Sequence, residues 1–103
     1  MNHMIFNDIL ITLMKINEDF IVQKLLERGF YVTDGIKYGL DYLIYTDKPD
    51  KVHSKYGCIL YNKDMTYQQL IALQRICTIS NKKLIIVKVI DDDIEYIEIE
   101  RFI

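Results

Sequence analysis

Tyr45, His53 and Lys82 carry the three kinds of side chain that can cleave RNA without a metal ion. A phenol can deprotonate a 2′-hydroxyl, an imidazole can protonate a leaving 5′-oxygen, and an amine can neutralise the charge of a pentavalent phosphorane. Tyr45 ends the segment Asp41–Tyr45, His53 follows eight residues later in a polar loop, and Lys82 lies seven residues after Arg75. These residues are therefore the first candidates for a catalytic site.

Each of these residues also has an ordinary structural interpretation. Tyr45 is one of eight tyrosines, and a tyrosine in an apolar segment is commonly a half-buried strand residue. Lys82 and Lys83 precede an apolar segment, where a solvated lysine is the usual case. His53 is one of two histidines and lies in a polar loop, not on an apolar face. The combination is more informative than any one residue.

The composition predicts one globular domain. The chain has 103 residues, is 50% hydrophobic and contains four Gly and one Pro, which is enough for one packed core. No apolar segment approaches the roughly 20 residues of a transmembrane helix, and the first residues lack the basic region of a signal peptide. We therefore expect a cytoplasmic protein with no membrane partner. Cys58 and Cys77 are expected to be buried free thiols, and no regular set of four ligands predicts a metal or cofactor.

Charge is distributed unevenly along the chain. The formal net charge of −2 argues against a free-standing, non-specific nucleic-acid binder. Eight bases and four acids lie between residues 35 and 83, whereas two bases and six acids lie between residues 84 and 103. A basic middle can hold phosphates and an acidic tail can meet a basic partner, although ordinary solvated surface also has such a distribution.

The residue pattern predicts the element order α-α-β-β-β-α-β-β, a small α/β or α+β domain in which a mixed sheet is flanked by helices. Met4–Met14 favours a helix, and a second helix is expected from the N-cap Asn17 to Gly29, which can adopt a positive φ. A third helix is expected from Asp64 or Thr66 to about Ile79. The first predicted strand is Phe30–Val32, which continues at Ile36–Tyr38 after a turn at Thr33–Gly35. The next three are Asp41–Thr46, Tyr56–Tyr61 and Leu84–Ile90. A tight turn at Asp91–Asp93 leads to the last predicted strand, Ile94–Phe102.

The segment from Arg28 to Tyr45 resembles the catalytic domain of the tRNA-splicing endonucleases. That family typically reads Arg-Gly-Tyr-hydrophobic-x-x-Gly-x-Lys-Phe-Gly-x-Asp-Phe, followed by a Tyr that ends a strand. The residues in register here are Arg28, Gly29, Gly35, Lys37, Gly39, Asp41 and Tyr45, and the downstream matches are Pro49, His53, Ser54, Tyr56, Leu70, Arg75 and Lys82. The resemblance covers roughly residues 17–102. It implies a restriction-endonuclease-like catalytic domain at residues 17–103, preceded by a helical N-terminal remnant at residues 1–16.

The resemblance implies a role for each matching residue. Tyr45 is the expected general base, His53 the general acid, and Lys82 the residue that stabilises the transition state. A shift of one residue would place Lys83 in the role of Lys82, so the spacing leaves that choice open.

The resemblance also implies the substrate and the products. Precursor tRNA would be cut at bulge-helix-bulge intron boundaries, leaving 2′,3′-cyclic phosphate and 5′-hydroxyl ends without a metal. Arg75 would stack on a flipped base, although a salt bridge on the helix surface is the ordinary alternative. Lys83 and Lys37 would also bind RNA.

Assembly into a larger complex is implied as well. In the family, an acidic loop before the last strand inserts into a basic cleft of a neighbouring subunit, and the last strand pairs with its counterpart. The corresponding residues here are Asp91, Asp92, Asp93, Ile97 and Ile99. Most archaeal members carry an N-terminal domain, whereas 16 residues precede Asn17. We therefore expect a second, structural subunit in an α2β2 heterotetramer, with a homotetramer as the alternative.

Three other functions compete with this interpretation. A non-catalytic structural subunit of the same complex would usually lose the Tyr-His-Lys set, which this chain keeps. A metal-dependent nuclease of similar fold would need an acidic residue followed by a Glu-x-Lys or Asp-x-Lys strand, of which Pro49-Asp50 imitates only the start. A simple RNA-binding module is disfavoured by the net acidity and by an expected lack of exposed aromatic platforms.

Overall fold

The computed structural model describes residues 19–100. The predicted helix Met4–Met14, the N-cap Asn17 and the end of the last predicted strand lie outside these residues. Within them, no helix is long and apolar enough to cross a membrane.

Two helices flank a five-stranded mixed sheet. Helix α1 covers the described residues 19–27 and α2 covers Tyr67–Ile79. The strands are β1 (Tyr31–Asp34), β2 (Tyr42–Tyr45), β3 (Tyr56–Leu60), β4 (Lys83–Ile90) and β5 (Asp93–Ile99), with a short 3-10 helix at Ile36–Tyr38. The spatial order is β1-β2-β3-β4-β5. Every neighbouring pair is antiparallel except β3 and β4, which are parallel and connected through α2. The predicted fold class is confirmed.

The predicted continuation of the first strand at Ile36–Tyr38 is wrong, because local hydrogen bonds close a turn there. Gly35 accepts through its carbonyl from Tyr38 N–H and Leu40 N–H, each at 3.0 Å. Gly39 has a φ of 73° and donates to the Ile36 carbonyl. The chain therefore reverses after β1, which itself includes two residues that were predicted to form the turn, Thr33 and Asp34.

Local signals mark the helix ends as the sequence predicts. Gly29 has a φ of 92°, and the N–H of Phe30 donates to the Leu25 carbonyl at the end of α1. Thr66 caps α2 by accepting from Gln69 N–H, while the Gln69 side chain accepts from Thr66 N–H. This reciprocal capping box satisfies two N–H groups that the first helical turn leaves without partners.

The core has one cluster on each face of the sheet. On the α1 side, the fully buried side chains include Leu25, Ile44, Cys58 and Val87. On the α2 side, the buried cluster comprises Leu40, Leu43, Ile59, Cys77 and Leu84. Both cysteines are free and buried, as predicted. Burial, reinforced by the nearby carboxylate of Asp41, raises the pKa of Cys58 to about 12.

Gly57 permits the close approach of the α2 side to the sheet. A Cβ at this position would lie 2.6 Å from Leu40 Cδ1 and 2.7 Å from Cys77 Sγ. Any larger residue would push both side chains away from β3.

Substitution of Gly57 therefore tests the packing of α2. Gly57→Ala is expected to lower the free energy of unfolding by about 1–3 kcal/mol through overpacking, as measured by urea denaturation. Cys77→Ala in the same background removes one of the two clashing atoms, so the double variant should lose less than the sum of the two single losses. An unfolding free energy of Gly57→Ala within about 0.5 kcal/mol of the original would contradict this packing.

A polar contact ties the end of α1 to β5. Arg28 donates to Asp93 Oδ1 at 3.1 Å and to the Ile94 carbonyl at 2.9 Å, and its guanidinium carbon lies 5.8 Å from the Tyr96 ring centroid. The hydrogen bond from the Ile94 N–H lowers the pKa of Asp93 below its ordinary value of 3.8, and the guanidinium of Arg28 lowers it further by a smaller amount.

The stabilising effect of Asp93 should depend on pH. Its carboxyl pKa is lower in the folded chain, so the contribution is complete above the ordinary value of 3.8 and is lost as the pH falls through the folded value. Asp93→Asn should therefore lower Tm at pH 7, and the difference should shrink at the lowest pH at which the chain stays folded. Asp92→Asn, in the neighbouring turn, is the control. A Tm difference independent of pH would contradict the assignment.

Candidate active site

Strand register brings the predicted site residues to one edge of the sheet. Ile44 pairs with Tyr56, and Tyr56 pairs with Lys83, so these three residues form a row across β2, β3 and β4. Lys55, the residue before Tyr56, donates its N–H to the Ile44 carbonyl at 2.9 Å and accepts from Lys83 N–H at 3.0 Å, so it links the strands beside this row.

One residue beyond that row lie Tyr45 at the end of β2, Lys55 before β3 and Lys82 before β4. We call this end of the sheet the Tyr45 edge. The antiparallel β2–β3 pair and the parallel β3–β4 pair together place the carboxyl end of β2 beside the amino ends of β3 and β4. Residues far apart in sequence therefore meet there.

Tyr45 is half-buried and packs against the cluster on the α2 side. Its hydroxyl lies 3.1 Å from Thr33 Oγ1, within hydrogen-bond distance. Thr33 pairs with Leu43, two residues before Tyr45, so its side chain lies diagonally across the strand pair on the same face. Sequence reasoning missed Thr33 because that relation depends on the β1–β2 register.

Lys82 lies on the same side of the sheet as Tyr45. Its ammonium donates to the Ser80 carbonyl at 3.2 Å and lies 5.1 Å from the centroid of the Tyr38 ring. Tyr38 packs against the α2-side cluster. Burial raises the pKa of Cys77 in that cluster, while the positive charge of Lys82 acts in the opposite direction.

The Lys83 side chain lies on the α1 side of the sheet, opposite the side that holds Tyr45 and Lys82. Its ammonium lies 3.9 Å from Glu98 Oε1. Glu98 is paired with Ile85, which belongs to the α1-side cluster. Of the two lysines that the sequence left open, Lys82 is therefore the one on the same side as Tyr45.

His53 is exposed in the loop between β2 and β3. The loop turns at Lys48, whose carbonyl accepts from the N–H groups of Lys51 and Val52, and it returns to the sheet through buried Ser54. Because Lys55 is bonded to the sheet, His53 is held two residues from the Tyr45 edge. Within residues 19–100 its ring has no hydrogen-bond partner.

Two of the expected RNA-binding residues are Lys37, which lies near Tyr38, and Arg75, which lies on α2. Lys37 places its ammonium 5.9 Å from the Tyr38 ring, so it and Lys82 both lie near one aromatic side chain. Arg75 is exposed on α2 and has no ion pair within the described part of the chain.

The residues expected at a subunit interface differ in exposure. Asp91, with a φ of 53°, and Asp92 form the turn, whereas Asp93 starts β5 and is engaged by Arg28 of its own chain. Ile97 is 59% exposed, and Ile99 is half-buried against the α2-side cluster.

Two surface features bear on the competing functions. Among residues 19–100, no group of three or more His, Cys, Asp or Glu side chains is placed to hold a metal ion. The expectation that aromatic platforms are not exposed is wrong, because the exposed large side chains include Tyr31, Tyr61, Tyr67 and Tyr96.

Comparison with known proteins identifies the fold that carries this site. The family model that describes the catalytic C-terminal domain of tRNA intron endonucleases matches residues 18–96. A tRNA-splicing endonuclease of Picrophilus torridus is 39% identical over 88 residues, which cover 85% of this chain and 30% of that protein. A tRNA-splicing endonuclease of Saccharolobus solfataricus is 36% identical over 79 residues, covering 71% of this chain and 43% of that protein.

The similarity extends to a third archaeal protein. A tRNA-splicing endonuclease of Saccharolobus islandicus is 32% identical over 68 residues, which cover 64% of this chain and 37% of that protein. The matched region is thus less than half the length of each of these relatives. Because the family model covers most of the chain and a relative that it covers to 85% is 39% identical, the chain belongs to the tRNA intron endonuclease family, in its catalytic C-terminal domain.

Proposed function

We propose that this chain is the catalytic subunit of a tRNA-splicing endonuclease, cutting precursor tRNA at bulge-helix-bulge intron boundaries. The supporting observation is the convergence at the Tyr45 edge of Tyr45, Lys82 and the loop that carries His53. A base, an acid and a fixed cation around one phosphodiester are sufficient for transesterification within RNA.

The proposed reaction uses only these side chains and the substrate. The phenolate oxygen of Tyr45 accepts the proton of the 2′-hydroxyl and becomes a phenol, and the 2′-oxygen forms a new bond to phosphorus. His53 donates a proton to the 5′-oxygen as the bond between that oxygen and phosphorus breaks. Lys82 stabilises the negative charge on the non-bridging oxygens. The products are a 2′,3′-cyclic phosphate and a 5′-hydroxyl, and the proposal requires no cofactor.

The local structure is compatible with the roles of Lys82 and His53. Lys82 is restrained by the Ser80 carbonyl and the Tyr38 ring, so its charge is positioned before substrate arrives. His53 is exposed on a loop and can approach a leaving oxygen held by the substrate. Bulged nucleotides in RNA are unstacked, and their flexible sugars permit the in-line attack that a regular duplex prevents.

RNA contacts are proposed for three further cations. Arg75 has an exposed planar guanidinium that can stack on a base in a bulge, and its lack of an ion pair within the described residues leaves it available. Lys37 and Lys83 lie near the Tyr45 edge and would contact phosphates.

We propose that the complex is an α2β2 heterotetramer with a second, structural subunit in the cytoplasm, and that a homotetramer is the alternative. Strand β5 is at one end of the described sheet and exposes Tyr96 and Ile97, by 48% and 59%. An exposed strand edge with apolar side chains favours pairing with another chain. The turn residues Asp91 and Asp92 are free to meet a basic cleft, whereas Asp93 is held by Arg28.

Two substitutions test the catalytic proposal. His53→Ala should reduce cleavage about 10²–10⁴-fold through loss of the acid. Lys82→Ala should reduce it about 10²–10³-fold through loss of charge stabilisation. Single-turnover cleavage of an end-labelled bulge-helix-bulge RNA in EDTA, with and without candidate partner subunits, measures both effects, and the 2′,3′-cyclic phosphate ends identify the chemistry.

The control for these variants is Lys63→Ala, at the opposite end of β3. Cleavage by both variants at the original rate would show that the site is wrong. Cleavage that appears only with magnesium would indicate the metal-dependent nuclease instead, and no cleavage under any condition would favour the structural subunit.

The hydrogen bond between Thr33 and Tyr45 should also affect cleavage. Thr33→Val keeps the side-chain shape but removes the hydroxyl, so the orientation of the Tyr45 oxygen is less restrained. Loss of one hydrogen bond worth about 0.5–1.5 kcal/mol predicts a cleavage rate about 2–10-fold lower. Thr33→Ser keeps the hydroxyl and should retain most of the cleavage rate. Thr46→Val, at the exposed residue after Tyr45, should leave the rate unchanged. Equal rates for Val and Ser at position 33 would exclude this role.

A further inference from the structure

A shallow depression of about 220 Å³ lies beside Lys82 at the Tyr45 edge. Three of its five lining residues are lysines, and the other two carry a hydroxyl or an amide: Lys55, Thr78, Asn81, Lys82 and Lys83. The Thr78 hydroxyl is engaged by Gln74, to whose carbonyl it donates at 2.9 Å, so the lysines and the Asn81 amide are the donors that a ligand can use. Their positive charge and N–H groups suit a phosphate group. Lys55, Asn81 and Thr78 have no place in the reaction proposed above.

Lys55 occupies the middle of the Tyr45 edge. Its backbone is bonded on one side to Ile44 and on the other to Lys83, so it lies on the strand between Tyr45 and Lys82. Adjacent strands are about 4.8 Å apart, and this spacing places Lys55 one strand from each of them. The position is therefore set by the sheet and not by a mobile loop.

The charge of Lys55 is available to a ligand. The side chain is exposed, its ammonium lies 5.4 Å from the Tyr56 ring centroid, and it has no carboxylate partner within residues 19–100. Within residues 19–100, the carboxylate of Glu98 lies 3.9 Å from the Lys83 ammonium. The two side chains are 59% and 39% exposed, so this ion pair is weak and leaves the depression positive.

The C-terminus of α2 opposes an anion through its negative dipole end, but hydrogen bonds to its last carbonyls weaken that opposition here. Its last carbonyls already accept hydrogen bonds: Ile76 from Ser80 N–H, Thr78 from Asn81 N–H and Cys77 from Lys82 N–H. The Ser80 carbonyl accepts from the Lys82 ammonium at 3.2 Å.

Asn81 completes this end of the helix. Its φ of 58° lies in the left-handed region that asparagine tolerates better than most residues. This left-handed turn places the exposed Asn81 amide in the lining of the depression.

We infer that this depression binds a backbone phosphate of the RNA next to the one that is cut, with Lys55 as its main contact and Asn81 as a second donor. The inference rests on the proposed function for the presence of RNA. It adds a positioning subsite that neither the sequence motif nor the catalytic residues supply. Lys55 would hold the strand so that the scissile phosphate lies between Tyr45 and Lys82.

The inference is tested by RNA binding without cleavage. The probe is a bulge-helix-bulge RNA with 2′-deoxy sugars at the cut positions, which removes the attacking hydroxyl. Fluorescence anisotropy gives Kd for the full chain, with its partner subunit where one is required, between about 50 and 200 mM salt. Lys55→Met should weaken binding several-fold and reduce the slope of log Kd against log salt by about 0.7–0.9, the value for one phosphate contact.

Two variants serve as controls. Lys63→Met removes an exposed lysine beyond the opposite end of β3, so it loses the same charge away from the depression and should leave the slope unchanged. Lys55→Arg retains the charge and should keep most of the affinity. Equal slopes for the original chain and Lys55→Met, or equal losses in Lys55→Met and Lys63→Met, would overturn the inference.

A second measurement separates an RNA phosphate from a free anion. Inorganic phosphate at millimolar concentration should shift the amide NMR signals of residues 78–83, weakly in the original chain and less in Lys55→Met. Tight saturation by free phosphate that RNA does not displace would overturn the RNA assignment. If the original chain fails to bind the RNA at all, the proposed function fails together with this inference. If it binds and cuts RNA but Lys55→Met behaves identically, only this inference fails.

Discussion

The parallel pairing of β3 with β4 is the constraint on which the site depends. All other strand pairs in the sheet are antiparallel, and a sheet of hairpins alone would place consecutive strand starts at opposite ends. The crossover through α2 instead brings the starts of β3 and β4 together, beside the end of β2. Tyr45, Lys82 and the loop that carries His53 therefore meet at one end of the sheet, although nearly forty residues separate Tyr45 from Lys82.

Close packing of α2 keeps that crossover in register. Gly57 leaves room for Leu40 and Cys77 directly against β3, and the last turn of α2 leads to Lys82 within a few residues. The carbonyl of Cys77 accepts from Lys82 N–H at 2.7 Å, so the helix end and the start of β4 are joined by a short bond. Packing in the core thus helps to fix the position of Lys82.

The two faces of the sheet separate side chains that are adjacent in the chain. Lys82 is held near Tyr38 on the α2 side, whereas Lys83 lies near Glu98 on the other side. Successive side chains along an extended segment point to opposite faces, so of two adjacent lysines only one can lie on the same face as Tyr45. The same alternation places Thr33 beside the Tyr45 hydroxyl. Lys82 and Lys83 are adjacent in the sequence but therefore lie in different environments.

The sequence by itself determined the local features of this protein. Gly29 ends α1 because glycine tolerates a positive φ, and Thr66 with Gln69 starts α2 because their side chains can satisfy each other's backbone N–H groups. Runs of β-branched and aromatic residues predicted the five strands, although Ile36–Tyr38 forms a 3-10 helix instead, and the motif from Arg28 to Tyr45 predicted the family. Each of these depends on residues within a few positions of one another.

Tertiary structure alone decided which distant residues meet. The bond between Thr33 and Tyr45, the position of Lys55 between two strands, and the separation of Lys82 from Lys83 all follow from strand register. The 3-10 helix at Ile36–Tyr38 connects β1 to β2, which pair antiparallel. Register is set by how the whole sheet buries its two faces, and a shift of one residue reverses the face of every side chain. Those faces are built from strands far apart in the chain, so residues within a few positions of one another do not decide which distant side chains meet.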